Sequence, residues 1–252
     1  MGKTLAIIIN HNRKEYTDRL YKSLKPYESD GNYDLHIFDN GSTDPTEVSD
    51  FTSFRSEENT YYGGGLNIIF SVMLENPQYD SLMVFNNDII LHPYKFVKTF
   101  RELLFAENYH ILSPSVLQPE EGQCFWPQMH NWGSKEVRSA KWVDFMCPIM
   151  KREFVEHIVQ YDTDLMYGWG QDVYAGIVCE ENNWKIGVAD VLTVIHLSAQ
   201  TYKDSKSNIN MSEYSNNATQ GMHMFFNKIN QQIKLQEFRS WGMNYKFLDN
   251  RG

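Results

Sequence analysis

The sequence predicts an α/β fold: a mostly parallel sheet flanked by helices, with a less regular C-terminal half that ends in a helix. Three observations carry this. Short apolar, β-rich runs recur at 4–9, 33–38, 82–85 and 109–116, the kind that reads as strands buried on both faces. Helical spacing separates them, and strand–helix alternation builds parallel sheets with right-handed crossovers. Polar clusters stand just after the strands, at 10–13, 39–44, 63–67 and 86–88.

The elements follow in order. Residues 4–9 (TLAIII) are the first strand, closed by Asn10-His11-Asn12-Arg13. A helix runs to about Lys25, with Tyr16, Leu20 and Leu24 on one face and Pro26 as its stop. Residues 33–38 are the second strand. DNGSTD (39–44) follows at once, an Asn-Gly turn and a helix cap with Pro45 near the first helical position. Residues 51–56 read as a short third strand. In EENTYYGGGLN (57–67), three glycines let a backbone approach a ligand closely, and a helix is expected from near Leu66. This is neither a GxGxxG fingerprint nor a Walker A loop. In DSLMVFNNDIILHP (80–93) a buried strand ends abruptly in Asn86-Asn87-Asp88. Two amides and a carboxylate are costly there unless something uses them, although Asn and Asp are also ordinary turn formers.

The second half is less regular. Residues 93–107 read as helix, 109–116 as strand, 118–131 as an irregular loop and 141–149 as extended. Residues 151–160 are expected to be helical, with Phe154, Val155 and Ile158 inward. YDTDLMYGWGQD (161–172) crowds aromatics, glycines and acids ahead of a helix at 172–182. Residues 186–194 are β-rich, and His196 is expected directly after the strand. Residues 199–217 read as a mobile loop and 220–238 as one final helix.

Bulk properties narrow the function. The 252-residue chain suits one large domain. A formal charge of −9 argues against general nucleic-acid binding, which needs a basic face. Cys124, Cys147 and Cys179 are scattered, an odd count without metal spacing that fits free thiols in a reducing compartment. No apolar run approaches the ~20 residues that span a bilayer, the N-terminal run is too short for a signal peptide, and Ala6 stands where a myristoylation site wants Ser or Thr. A cytoplasmic protein without a transmembrane segment is expected.

On a parallel sheet the loops beyond the strands share one edge, so the polar clusters should meet in space. They hold amides, backbone donors and carboxylates but almost no lysine. That suits a nucleotide whose diphosphate is neutralised by a divalent metal rather than by basic side chains.

The clusters, taken in order, resemble a family 2-type glycosyltransferase of the GT-A fold, which is Rossmann-like. IIINHNR (7–13) resembles the family's first strand and turn, and FDNGSTD (38–44) is close to its DNGSTD signature. Residues 59–67 are similar to its asparagine–glycine–asparagine stretch, 84–91 to the strand with its DxD-type metal motif, and WVDFMCPIMKREF (142–154) to the stretch before its acceptor-side helix. YGWGQD (167–172) resembles its (E/D)D catalytic motif, and His196 its late metal-binding histidine.

The resemblance implies roles. Asp39 would bind the base or ribose; Asn10, Asn12 and Arg13 would line the nucleotide pocket; Gly64, Gly65 and Asn67 would pass close to the donor. Asp88 and His196 would hold Mn²⁺ or Mg²⁺, with Asn87 as a hydrogen-bonding amide beside them. Asp172 would be the general base, and Trp169 would stack on a sugar, with Trp126 and Trp132 as weaker candidates. The implied reaction is inverting transfer of a single sugar from a UDP-, GDP- or dTDP-sugar to a glycan, lipid-linked or other hydroxyl acceptor. Residues 1–118 would form the donor half and 119–252 the acceptor and catalytic half of one continuous domain.

Departures from the pattern matter. NND keeps only one carboxylate of the metal motif, and Gln171 replaces the first acid of the catalytic pair. Cys147-Pro148 stands where small residues are usual. QEFRSW (236–241) resembles the QxxRW motif of processive synthases with an extra Ser240 and is read as coincidence. Lys203 and Lys206 are candidate lid residues. Two rival readings are a sugar-phosphate nucleotidyltransferase, whose basic glycine-rich loop is missing here, and a non-catalytic nucleotide-sugar-binding module.

Overall fold

The apolar runs become strands of one nine-stranded sheet, in a computed structural model that describes residues 2–117, 126–197 and 210–245. The strands are β1 (Lys3–Asn10), β2 (Tyr33–Asn40), β3 (Phe54–Ser56), β4 (Tyr79–Asn86), β5 (Ile89–Leu91), β6 (Tyr109–Val116), β7 (Val137–Ser139), β8 (Ile149–Lys151) and β9 (Lys185–His196). Their spatial order is β3-β2-β1-β4-β8-β6-β9-β5, with β7 also paired to β9. The long pairings (β1–β2, β1–β4 and β6–β9) are parallel, while the three-residue strands β5, β7 and β8 pair antiparallel. Both ends of the order, β3 and β5, are three residues long.

The helices are α1 (Lys14–Leu24), α2 (Glu28–Gly31), α3 (Tyr61–Glu75), α4 (Phe96–Ala106), α5 (Arg152–Ile158), α6 (Gln171–Glu181), α7 (Met211–Lys228) and α8 (Gln232–Met243). Leu5 through Ile8 in β1 and Leu82 through Phe85 in β4 are essentially unexposed, so these strands are apolar on both faces because both faces are covered. No helix among the described residues is long and apolar enough to cross a membrane.

Five expectations are corrected. The glycines do not form a loop before a helix at Leu66: α3 starts at Tyr61 and contains all three. A Cβ on Gly63 would fall 2.1 Å from the Gln171 amide and 2.4 Å from the Leu165 carbonyl, so the glycine serves helix packing. Most of 141–149 is irregular, and regular pairing begins at Ile149. Pro148 lacks an N–H, but Val84 and Asn86 still donate to the Pro148 and Met146 carbonyls (3.1 and 2.9 Å), so this stretch follows the end of β4. The mobile loop at 199–217 is helical from Met211, capped by Asn210, whose Oδ1 accepts from the Ser212 and Glu213 N–H groups. Residues 198–209, with Lys203 and Lys206, lie outside the described residues, as do 118–125 with Cys124. The single last helix is two, broken where Asn230 adopts φ 56°. His196 is the last residue of β9 rather than the first after it.

Arg152 closes the far end of α3. Its guanidinium donates to the carbonyls of Met73 (3.1 Å), Leu74 (2.9 Å), Asn76 (3.1 Å) and Tyr79 (3.1 Å), at the helix end, the turn after it and the start of β4; Met73 and Asn76 also accept from the Asn76 and Tyr79 N–H groups. Arg152→Met is expected to lower stability by about 2 kcal/mol, the scale of hydrogen bonds to a charged donor. Urea unfolding checks this, and a change below ~0.5 kcal/mol would contradict the assignment.

Candidate functional site

Parallel register brings the ends of β1, β2 and β4 level: Asn10 stands opposite Asp39, and Ile9 opposite Asn86. Asn10 joins the clusters behind them. Its Nδ2 donates to Asp39 (2.8 Å) and the Glu47 carbonyl (3.0 Å), while its Oδ1 accepts from Thr17 Oγ1 (2.8 Å), the Arg13 N–H (3.2 Å) and Asn87 Nδ2 (3.5 Å). Asp39 is fully buried and accepts from Asn10, Ser42 and the Arg55 guanidinium (3.0 Å). Asn12, at φ 54°, accepts from the Thr43 N–H (2.9 Å) and donates its own N–H to Ser42 Oγ (2.9 Å). Asn10, Asn12, Arg13, Asp39 and Asn87 thus form one connected polar wall.

His11 belongs to the same wall, although the sequence reading leaves it as merely structural. Its Nδ1 donates to the Asn40 carbonyl (2.9 Å) and its Nε2 accepts from Asn59 (3.3 Å). Burial lowers its pKa, partly offset by the Asn40 bond and Asp39 charge, so the ring is neutral near pH 7.

Gly64, Gly65 and Asn67 do not join the wall as loop residues. The two glycines lie in the first turns of α3. The Asn67 amide is spent on Tyr161, donating to its carbonyl (3.0 Å) and accepting its N–H (2.7 Å).

Asp88 and His196 meet because β5 and β9 pair with Ile89 opposite His196. Their Oδ1 and Nε2 atoms are 3.2 Å apart, and both side chains are largely buried. Burial pulls the His196 pKa down, but the Asp88 hydrogen bond and the charges of Asp88 and Asp144 outweigh it, and the net shift is upward. The pair offers one carboxylate and one imidazole, and no group of three His, Cys, Asp or Glu is gathered for a metal among the described residues. Such a donor set fits a Mn²⁺ or Mg²⁺ ion that shares its shell with substrate phosphate rather than one held by protein alone.

Asp172 stands in the first turn of α6, at the wall of a cavity of about 470 Å³. Trp126, Asp144, Tyr167, Trp169 and Arg239 also line it. Desolvation pushes the Asp172 pKa to about 7; the Asp144 charge adds to the rise, and the Val173 N–H (2.8 Å) and Arg239 charge reduce it. A carboxylate so poised can take a proton near neutral pH. Trp169 is 38% exposed at the cavity.

Asp144 links the two centres, since its charge is felt at both Asp172 and His196. Its own pKa is raised, by burial first and by Asp88, against the pull of His196 and the Met146 N–H. Sequence reasoning missed Asp144 and Arg239. Asp144 is visible only within WVDFMCPIMKREF, which carries no role for it, and Arg239 only within QEFRSW.

Comparison with known proteins gives the fold a name. A family model described as "Protein of unknown function (DUF707)" matches residues 121–245. No curated protein matches by sequence. Among solved structures, GalNAc-T7 with UDP, GalNAc and Mn²⁺ is similar over 78% of this chain at 12% identity, TM-score 0.61. The chain spans 43% of that protein's length. Glucosyl-3-phosphoglycerate synthase from Mycobacterium tuberculosis, with Mn²⁺, UDP-glucose and phosphoglyceric acid, matches 91% of this chain and 80% of its own at 14% identity, TM-score 0.57. S. aureus TarS with UDP-GlcNAc matches 95% of this chain and 78% of its own at 12% identity, TM-score 0.56. At these identities the likeness is one of fold, and the fold is GT-A.

The raised pKa of Asp172 makes it a cost to folding once ionised. In the unfolded chain it ionises near the ordinary aspartate value of 3.8, and in the folded protein near 7, so the native state binds more protons between these values. Its contribution therefore falls as pH rises from about 4 to about 7. Asp172→Asn is expected to flatten that slope and to stabilise the protein at pH 8 by on the order of 2 kcal/mol, discounted for screening and relaxation around the ionised group. Urea unfolding of both proteins at pH 5 and pH 8 checks this; equal differences at the two pH values would contradict it.

Proposed function

We propose that the protein is a metal-dependent, inverting glycosyltransferase that moves a single sugar from a nucleoside-diphosphate donor to an acceptor hydroxyl. The observation that carries this reading is Asp172: a buried carboxylate with a pKa near 7, in a cavity large enough for a sugar, one acidic neighbour away from the Asp88–His196 pair. Solved proteins of the same fold that hold UDP, a UDP-sugar and Mn²⁺ support it.

In this reading residues 1–118 bind the donor and 119–252 the acceptor. Asn10, Asn12, Arg13, Asp39 and Asn87 form the nucleotide side, with Asp39 acting chiefly by holding the 39–44 loop through Ser42 and Arg55. Asp88 and His196 would hold Mn²⁺ or Mg²⁺, which supplies Lewis-acid neutralisation of the departing diphosphate. Asp172 accepts the proton of the acceptor hydroxyl. The acceptor oxygen bonds to the anomeric carbon from the opposite side as the bond to the diphosphate breaks, which inverts that carbon. Trp169 supplies a flat apolar surface for a sugar ring. Buried Cys147 and Cys179 are free thiols, which fits a reducing, cytoplasmic setting.

Incubation with Mn²⁺ and a panel of UDP-, GDP- and dTDP-sugars, with and without acceptors, tests the reading. Asp172→Asn is expected to lower transfer by ~10²–10⁴-fold, the usual yield of a general base, with UDP affinity within about twofold of the wild type. The wild-type rate should rise with pH through about 7, because the base must be ionised. Retained turnover in the variant would remove Asp172 as base. Asp88→Ala is expected to abolish the gain in UDP affinity that Mn²⁺ confers, measured by calorimetry. A wild-type protein whose UDP affinity ignores Mn²⁺ would contradict the metal assignment, and UDP binding without hydrolysis or transfer would favour a binding module.

A further inference from the structure

The inward stripe of α8 reads Leu235, Phe238, Arg239, Gly242, at i, i+3, i+4 and i+7. Leu235, Phe238 and Gly242 are buried, and Arg239 is the one charge among them. Its placement is fixed from both sides. The Trp142 indole N–H donates to the Phe238 carbonyl (2.8 Å), and a Cβ on Gly242 would stand 2.8 Å from the Trp142 ring, so helix and indole are in direct contact. The guanidinium carbon lies 5.4 Å from the centre of the Trp126 ring, which itself stands edge-on to Trp142 at 4.7 Å. Arg239 Nη1 is 3.3 Å from Met222 Sδ.

No carboxylate pairs with this guanidinium among the described residues, and its remaining N–H groups have no acceptor there. A guanidinium on a core-facing stripe is ordinarily paired. Arg239 instead lines the cavity that contains Asp172, close enough to lower that carboxyl's pKa. Asp144 and Asp172 disfavour an anion in this cavity, and Arg239 is the one cation among its described lining residues, so an anion is favoured only against the guanidinium.

We propose that Arg239 recognises a carboxylate or phosphate on the acceptor molecule whose hydroxyl is presented to Asp172. The proposal rests on the transferase reading and names the substrate class of its acceptor side: an anionic sugar or sugar phosphate. The planar fork of arginine matches both oxyanions by paired hydrogen bonds. The surrounding rings of Trp126, Trp169 and Tyr214 suit the apolar face of the same molecule. The donor's diphosphate is the other anion in play. Its expected seat, Asp88 and His196, is not among the described lining residues, nor are the wall residues from Asn10 to Asp39, although the neighbouring Asn86 is, so the two sites adjoin.

Binding measurements separate the two anions. Glucose, glucose 6-phosphate, glucuronate and UDP are titrated by calorimetry against the wild type, Arg239→Gln and Arg239→Lys, in the presence of Mn²⁺. The two anionic sugars are expected to bind the wild type about tenfold or more tighter than glucose, the scale of a charge-assisted bond. Arg239→Gln should erase that preference, Arg239→Lys should keep part of it, and UDP affinity should stay within about twofold in both. A preference that survives in Arg239→Gln overturns the proposal. So does a loss of UDP affinity in that variant, which would assign the guanidinium to the donor. A charge preference that depends on Arg239 in a protein unable to bind UDP supports the anion site and counts against the nucleotide-sugar reading alone.

Discussion

One amide holds the donor side of the molecule together. Asn10 is fully buried at the end of β1, and its two polar atoms reach Asp39 near the end of β2, Glu47 beyond the loop, Thr17 in α1 and Asn87 after β4. An amide carries donors and an acceptor at once, so it can satisfy neighbours of both kinds. An aspartate there would face Asp39 with like charge, and an apolar residue would strand several buried groups. The parallel register makes this meeting unavoidable, because strands that end level deliver their following residues to one place. The shape of the wall therefore follows from sheet geometry plus one well-chosen side chain.

The acceptor side is organised around bulk. Trp142 is fully buried, and Gly176 and Gly242 leave room for α6 and α8 to pack against it. This brings Asp172 and Arg239, which are far apart in sequence, to a common cavity while Asp144, two residues from the indole, completes it. Burial keeps Asp172 from ionising too early, and the Asp144 charge adds to the effect. Packing and acid–base behaviour are thus two aspects of the same arrangement.

The long strands and their polar termini were legible because a strand buried on both faces must be an uninterrupted apolar run. Its end is then marked by the first polar residue, as at Ile9–Asn10 and Phe85–Asn86. Roles inside irregular segments were not legible. Asp144 lies in a stretch that follows β4 without regular pairing, so neither a period of 2 nor one of 3.6 signals which way it points. The three glycines were misread because one residue type serves two ends, approach to a ligand and close helix packing, and only the neighbour at 2.1 Å decides between them. The Ser and Asn content at the start of α7 reads as loop. The burial of Tyr214, Ala218, Met222 and Phe225, at helical spacing, outweighs that composition once the rest of the chain is there to pack against.

The two ends of the sheet have a consequence beyond the site. A long, flat outer strand leaves a row of unpaired N–H and C=O groups that another polypeptide can extend. Here the outermost strands, β3 and β5, have three residues each, so little backbone is free on either side. With an overall charge of −9, copies of the chain also repel one another. A nine-stranded apolar sheet, which would otherwise be a template for fibrous aggregation, is thereby kept from growing into its neighbours.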